Sequence, residues 1–254
     1  MLTPPFYPSP SAIDLWLTCN ARALGKYVAG VKEPMGKAAL EGQRLHKLTQ
    51  EFLVSGRLPP PHERAVHKIV GALPVPGGSI HPVDIERVLV MPVFHGFMDW
   101  SDGFGRQGDL KFTSSPQHQR SKDPVKDPQR ILYAKDEFYR DPYLLSLRQT
   151  WSVAQFNGAA AYRLDHTWTR SALKKAYEKN LARAVDNFVS AVHNKQDWNE
   201  AAKDYSKCDM YRPHGCPMKA HGCKRGSLNQ RLVAIQPKAS ALASLTRKKR
   251  TQAQ

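Results

Sequence analysis

Apolar residues recur along the chain with two different periods, one typical of helices and one typical of strands. Residues 11–19 and 37–54 have helical spacing. Ser11 followed by Asp14 has the pattern of a capping box, which predicts that the first helix begins there. The core-facing stripe of the second helix consists of Leu45, Leu48 and Phe52. Residues 83–91 then change to strand composition.

Residues 94–113 predict a hairpin of two half-buried strands. Apolar and charged residues alternate on both sides of a turn that contains Gly103 and Gly105. Because side chains in a strand alternate between the two faces of the sheet, the second strand presents a polar and an apolar face. The polar face carries Asp109, Lys111 and Thr113, and the apolar face carries Leu110 and Phe112.

The second half of the chain predicts three more elements. Residues 129–139 indicate a helix, residues 144–154 a strand, and residues 171–193 one amphipathic helix. Residues 55–82 are rich in proline and glycine and predict a surface connection, and residues 114–128 predict a flexible polar loop. We therefore expect an α/β fold, with a central mixed sheet flanked by helices in a single domain.

The charge of the chain points to a polyanionic partner. Its 254 residues include 38 Lys and Arg against 22 Asp and Glu, which gives a formal net charge of +16. Nucleic acid is the simplest partner for such a chain. A basic structural protein would have the same charge balance, so the charge indicates the partner class and not the chemistry.

The ends of the chain differ from the predicted domain in composition. Residues 1–10 form a Pro-rich arm without the apolar core of a secretory signal, and no apolar run approaches the roughly 20 residues of a membrane span. We therefore expect a soluble intracellular protein, cytoplasmic in location, with no membrane partner. Residues 237–254 predict a basic disordered tail that attracts nucleic acid.

The hairpin carries candidate catalytic residues. Asp99 closes the first strand and is expected to lie opposite Asp109 and Lys111 on the second. Two carboxylates hold a hard divalent cation, and a lysine orients water and offsets charge on a phosphate, which together suit phosphodiester hydrolysis. A solvated hairpin face would have the same residues. Glu86 is a further acid that either joins the site or faces solvent.

Two predicted helices contribute other candidates. His46 lies just beside the apolar stripe of its helix, and Gly42 precedes it by one turn on the same side. His46 is either a metal ligand or a hydrogen-bonded structural histidine. Gln129 and Tyr133 are four residues apart and therefore project from one helix face.

The four cysteines suggest a metal or cluster site. Cys208, Cys216 and Cys223 lie in a turn-rich segment, residues 207–225, which also contains His214 and His221. Together with Cys19 they provide four thiolates, enough for a [4Fe–4S] cluster or a structural zinc ion. Cys19 taken by itself is equally consistent with a small buried apolar residue.

The order of these motifs resembles the RecB-like exonucleases of the PD-(D/E)XK superfamily, in particular the iron–sulfur branch that includes AddB and the CRISPR-associated RecB-like exonucleases. The shared order is Ser-Pro-Ser with a following Cys, Gly-x-x-x-His, Gly-x-x-Asp, Asp-x-Lys, Gln-x-x-x-Tyr and a cysteine cluster. The match covers roughly residues 9–225. It implies a restriction-endonuclease-like core over residues 11–225 and metal-dependent hydrolysis of DNA, as an exonuclease in recombination, repair or phage DNA processing.

The resemblance also implies roles for individual residues. His46, Asp99, Asp109 and the Leu110 carbonyl would bind Mg²⁺ or Mn²⁺. Lys111 would be the catalytic lysine. Gln129 and Tyr133 would line the site. A structural [4Fe–4S] cluster would be held by Cys19, Cys208, Cys216 and Cys223.

Two departures from the family pattern keep alternatives open. The three C-terminal cysteines are separated by seven and six residues rather than by a close Cys-x-x-Cys pair, so zinc remains an alternative to the cluster. The second acid is Asp109 in place of the commoner Glu. Two other functions compete with the nuclease: a DNA-binding partner with a vestigial site, and a zinc-binding nucleic-acid module.

Overall fold

The computed structural model describes residues 6–33, 35–197, 199, 201 and 218. Among these residues a five-stranded mixed sheet is flanked by α-helices, as the sequence predicts. The strands are β1 (Ile85–Val88), β2 (Phe97–Ser101), β3 (Arg106–Thr113), β4 (Ser146–Gln155) and β5 (Ala161–Thr169). The helices are α1 (Pro10–Thr18), α2 (Asn20–Tyr27), α3 (Lys37–Ser55), α4 (Arg64–Val70), α5 (Pro116–Arg120), α6 (Pro128–Arg140), α7 (Arg170–Asn180) and α8 (Ala182–His193).

The strands lie side by side in chain order from β1 to β5. Every neighbouring pair is antiparallel except β3 and β4, which are parallel. A parallel pair requires a crossover, and α6 lies on the connection that supplies it. The predicted hairpin is therefore the β2–β3 pair, and β3 is the central strand of the sheet.

The two faces of the sheet carry separate apolar clusters. One cluster includes Trp151 of β4 together with residues of α1, α2, α6, α7 and α8. On the opposite face, Leu110 of β3 packs with Leu53 of α3 and Ile69 of α4. Residues 109 and 151 are register partners, so the alternation of side chains along β3 places Asp109 and Leu110 on opposite faces.

The first helix begins two residues before the predicted position. Ser9 is the N-cap, and its side chain accepts a hydrogen bond from the Ala12 N–H, whereas Ser11 lies inside α1. Pro10 favours this start because it lacks an N–H and its fixed φ suits the first helical position. Within the predicted Pro-rich arm, Phe6 packs its ring at 5.4 Å from the ring of Phe188.

The predicted helix over residues 171–193 is in fact two helices, α7 and α8, separated at Leu181. The backbone of Leu181 leaves the helical region, with φ −125° and ψ −35°, while its side chain stays buried in the core. Because the apolar stripe continues through Leu181, periodicity does not reveal the break.

Four further elements lie in segments for which the sequence predicts no regular structure. Helix α2 follows α1, strand β5 follows β4, α4 lies in the predicted surface connection, and α5 lies in the predicted flexible loop. The short α4 buries Ala65, Val66 and Ile69 on one side, but seven residues are too few for the period to be recognised. In the described part of the chain, no helix has the length and apolar character needed to cross a membrane.

Candidate active site

Asp109 and Lys111 form an ion pair on the α6 side of β3. The Lys111 ammonium lies 2.8 Å from Oδ2 of Asp109 and donates a hydrogen bond of 3.1 Å to Oδ1. Asp109 is 2% exposed, whereas the side chain of Lys111 is 24% exposed. The pair therefore joins a buried carboxylate to a partly exposed lysine side chain.

Asp99 lies at the point where β2 separates from β3. The two strands are in register at Trp100 with Gly108 and at Ser101 with Gln107, and Asp99 follows beyond these pairs. Its Oδ2 accepts a hydrogen bond of 2.6 Å from the Leu110 N–H. The Asp99 carboxylate thus directly holds the backbone between Asp109 and Lys111.

Gly108 allows the two strands to approach closely at this point. The Trp100 ring, which is fully buried, occupies the space where a side chain at residue 108 would lie. A Cβ atom at this position would be 2.2 Å from the ring. Glycine therefore fixes the local register and with it the position of Asp99.

His46 reaches the site from α3. Its Nδ1 atom lies 3.8 Å from Oδ2 of Asp99, and its ring packs edge-on against Phe112 with 5.7 Å between centroids. Gly42, one turn earlier, is not required by packing, because an added Cβ would meet only the Phe156 ring at 4.0 Å. The two predicted neighbours, His46 and Asp99, are therefore brought together by the fold.

Gln129 and Tyr133 belong to α6, whose N-terminus is capped by the Asp127 side chain. Tyr133 is buried against Trp151, with 6.5 Å between ring centroids. Burial, together with the nearby carboxylates of Asp109 and Asp99, raises the pKa of Tyr133, so the hydroxyl stays protonated. Gln129 lies one turn earlier and is half-buried.

Burial and neighbouring charges shift the protonation of the ion pair. Burial raises the pKa of Asp109 to about 6, the Asp99 carboxylate adds to the effect, and Lys111 and His46 oppose it. Burial acts to lower the pKa of Lys111, but the carboxylates of Asp109 and Asp99 outweigh it and the net shift is upward. Lys111 is therefore a cation at neutral pH.

The donor atoms of the site suit a hard divalent cation. They comprise two carboxylates and an imidazole. Oδ2 of Asp109 is buried, with the Lys111 ammonium 2.8 Å away as its ion-pair partner. No three His, Cys, Asp or Glu side chains within the described ranges converge into a ready-made cage. The donor types of His46, Asp99 and Asp109 therefore suit a cation, although the three side chains do not converge on one point.

An open cleft of about 610 Å³ lies beside these residues, between α3 and the strands. His46 and Lys111 line it together with Glu86, whose side chain is exposed and projects toward α3. Sequence reasoning did not identify Gln43, Lys47 and Gln50, which also line the cleft. These three residues are four and three positions apart, which is the signal that would have placed them on one helix face.

Of the four cysteines of the predicted cluster site, the structure describes only Cys19. This residue joins α1 to α2, is half-buried, and forms no disulfide with any described cysteine. Cys208, Cys216 and Cys223, with His214 and His221, lie outside the described residues, so the predicted [4Fe–4S] or zinc site remains a prediction.

No protein-family model matches the chain, and no curated protein shows significant similarity to it.

Proposed function

We propose that the protein is a metal-dependent deoxyribonuclease that hydrolyses DNA phosphodiester bonds, acting as an exonuclease on a PD-(D/E)XK core. One observation carries the proposal: the Asp99 carboxylate is hydrogen-bonded to the backbone between Asp109 and Lys111, with His46 beside it. Of this group, His46 and Lys111 also line an open cleft. The strongly basic chain supports a polyanionic substrate.

The proposal assigns a bound Mg²⁺ or Mn²⁺ to His46, Asp99, Asp109 and the Leu110 carbonyl. Such an ion polarises a phosphate and lowers the pKa of bound water. The other steps belong to the side chains of the chain itself. Asp109 holds Lys111 and keeps it protonated, so Lys111 acts as a cation and hydrogen-bond donor rather than as a general base.

Lys111 is placed to stabilise negative charge on a phosphate oxygen. Its side chain is the more exposed member of the ion pair and lines the cleft. Stabilisation of developing charge by a preorganised donor contributes on the order of 10²- to 10³-fold to a rate. Tyr133 is buried and protonated, and it lies near enough to Asp109 and Asp99 for their charges to raise its pKa.

The test is digestion of linear single-stranded and duplex DNA by anaerobically purified protein, with Mg²⁺, Mn²⁺ or EDTA. The wild type should shorten DNA only with metal. Lys111→Ala should bind DNA but cut it at least about 100-fold more slowly. Lys68→Ala is the matched control, because Lys68 is an exposed helical lysine of α4 that lines none of the described cavities.

Circular dichroism and thermal melting would show that both variants fold. Equal cutting by the wild type and Lys111→Ala would refute the proposal. If the wild type binds DNA without cutting it under any metal condition, a DNA-binding role becomes the better assignment.

A further inference from the structure

The cleft at the candidate site continues along α3. A second cavity of about 540 Å³ lies between α3 and the start of β1. Lys47 and Gln50 line both cavities, so the two form one groove, which we call the α3 groove. Its far end is lined by Arg57, just beyond the last residue of the helix.

The α3 groove has the length of a short oligonucleotide. From His46 to the end of α3 at Ser55 the helix advances nine residues, which corresponds to about 14 Å at the helical rise of about 1.5 Å per residue. A stacked strand rises about 3.4 Å per nucleotide. The groove therefore spans roughly four nucleotides beyond the candidate site.

Two cations in the groove are available for phosphates. Lys47 and Arg57 are exposed, and neither forms an ion pair with a residue in the described part of the chain. Arg44 on the same helix differs, because it is bound by Glu41 at 2.8 Å and by Glu63 at 2.5 Å. Arg44 thus stabilises the fold, whereas Lys47 and Arg57 remain free to bind a ligand.

A weak contact crosses the groove where the two cavities meet. Gln50 of α3 donates a hydrogen bond of 3.3 Å to the Glu86 carboxylate of β1. Both side chains are at the surface, where a single long hydrogen bond contributes little to stability. An entering strand can therefore displace this contact.

We infer that the α3 groove holds one nucleic-acid strand on its way to the candidate site, with Lys47 and Arg57 contacting its phosphates. This inference rests on the proposed function, since it assigns the groove to the substrate of that site. It also assigns a path to the strand, which runs from the reacting phosphate near His46 along α3 to Arg57.

The test measures binding of a fluorescent single-stranded 12-nucleotide DNA in EDTA, which prevents hydrolysis. The variant is Lys47→Gln with Arg57→Gln. The matched control is Lys68→Gln with Arg183→Gln, which removes the same charges from exposed positions outside the groove. Each phosphate contact on a single strand contributes about 0.7 to the slope of log affinity against log salt. The groove variant should lose about 1.4 from this slope and about tenfold in affinity at low salt.

A three-nucleotide strand is too short to reach Arg57 from the site. With this strand, the groove variant and the control should therefore differ less in affinity and in salt slope than with the 12-nucleotide strand. Equal slopes and affinities of the two double variants on the long strand would overturn the inference. Failure of the proposed function would appear separately, as absence of metal-dependent cutting by the wild type, and leaves the binding comparison intact.

Discussion

The Asp99 carboxylate accepts a 2.6 Å hydrogen bond from the N–H of Leu110, the residue that separates Asp109 from Lys111. The bond links an acid at the end of β2 to the backbone of the central strand. It therefore has a structural role in addition to the catalytic role that we propose for Asp99, and substitutions can separate the two.

Asp99→Asn and Asp99→Ala should both abolish metal-dependent hydrolysis but differ in stability. The asparagine oxygen can still accept the Leu110 N–H, whereas alanine leaves this buried donor without a partner. An unsatisfied buried donor costs about 1–3 kcal/mol, so Asp99→Ala should be less stable than Asp99→Asn by that amount. Urea denaturation measures the difference. Equal losses would show that the hydrogen bond does not stabilise the hairpin.

Asp109→Asn should stabilise the protein at neutral pH. The folded-state pKa of Asp109 is about 6, above its ordinary value of 3.8. An acid with a raised pKa binds its proton more tightly in the folded state, so its contribution to stability is full below pH 4 and is lost as pH rises through 6. The loss is about 2–3 kcal/mol at most. Asparagine resembles the neutral acid and should escape this loss.

Thermal melting of the wild type and Asp109→Asn between pH 4 and 7.5 measures the effect. The two melting temperatures should converge near pH 4 and diverge above pH 6, with the variant higher. A variant that melts lower than the wild type at pH 7 would indicate that the ion pair with Lys111 outweighs the cost of burying the carboxylate.

Hydrolysis should fall as the pH drops below about 6, because a protonated Asp109 cannot bind a cation. Protons and metal compete for this carboxylate, so a higher Mn²⁺ concentration should move the midpoint of the fall to lower pH. Initial rates at two Mn²⁺ concentrations between pH 5 and 8 test this. A midpoint that is independent of Mn²⁺ would assign the titration to another group.

The sequence was sufficient to predict the hairpin because its alternation, its glycine turn and its paired acids coincide within twenty residues. No element was predicted between residues 154 and 171, where strand β5 lies. The break at Leu181 was missed because its side chain continues the apolar stripe although its backbone is not helical. Core packing decided this position, and a pattern of side chains does not report backbone angles.

The site shows the same division between local and long-range information. Asp109 and Lys111 are two residues apart on one strand, so their pairing follows from the period of the strand. The approach of His46 to Asp99 depends on how α3 packs over β3, and the groove beyond it depends on the distance between α3 and β1. Neither distance is encoded in a local motif, although Gln43 and Gln50 share the helix face of His46.

Gly42→Ala should stabilise the fold and impair substrate binding. An alanine Cβ would meet only the Phe156 ring at 4.0 Å, and alanine in a helix interior is more stable than glycine by about 0.5–1 kcal/mol. The same methyl group would narrow the cleft beside His46. Denaturation should show the gain, and KM for DNA should rise. An unchanged KM would show that the substrate does not approach α3 at this position.

Glu86→Asn should raise both the stability of the protein and its affinity for a nucleic-acid strand. Glu86 has φ +47°, a left-handed conformation that asparagine tolerates far better than glutamate and that costs on the order of 1 kcal/mol. Its carboxylate also places a negative charge in the α3 groove. Glu51→Gln is the matched variant, since Glu51 lines the same groove from the ordinary helical backbone of α3.

Both variants should bind the 12-nucleotide strand more tightly than the wild type, because each removes a charge that repels phosphate. Glu86→Asn alone of this pair should also gain stability in urea denaturation. If Glu86→Asn instead weakens binding while Glu51→Gln strengthens it, Glu86 contacts the substrate directly and belongs with Asp99 and Asp109. That outcome would make the β1 acid, which is opposite Asp99 in the β1–β2 register, a further member of the site.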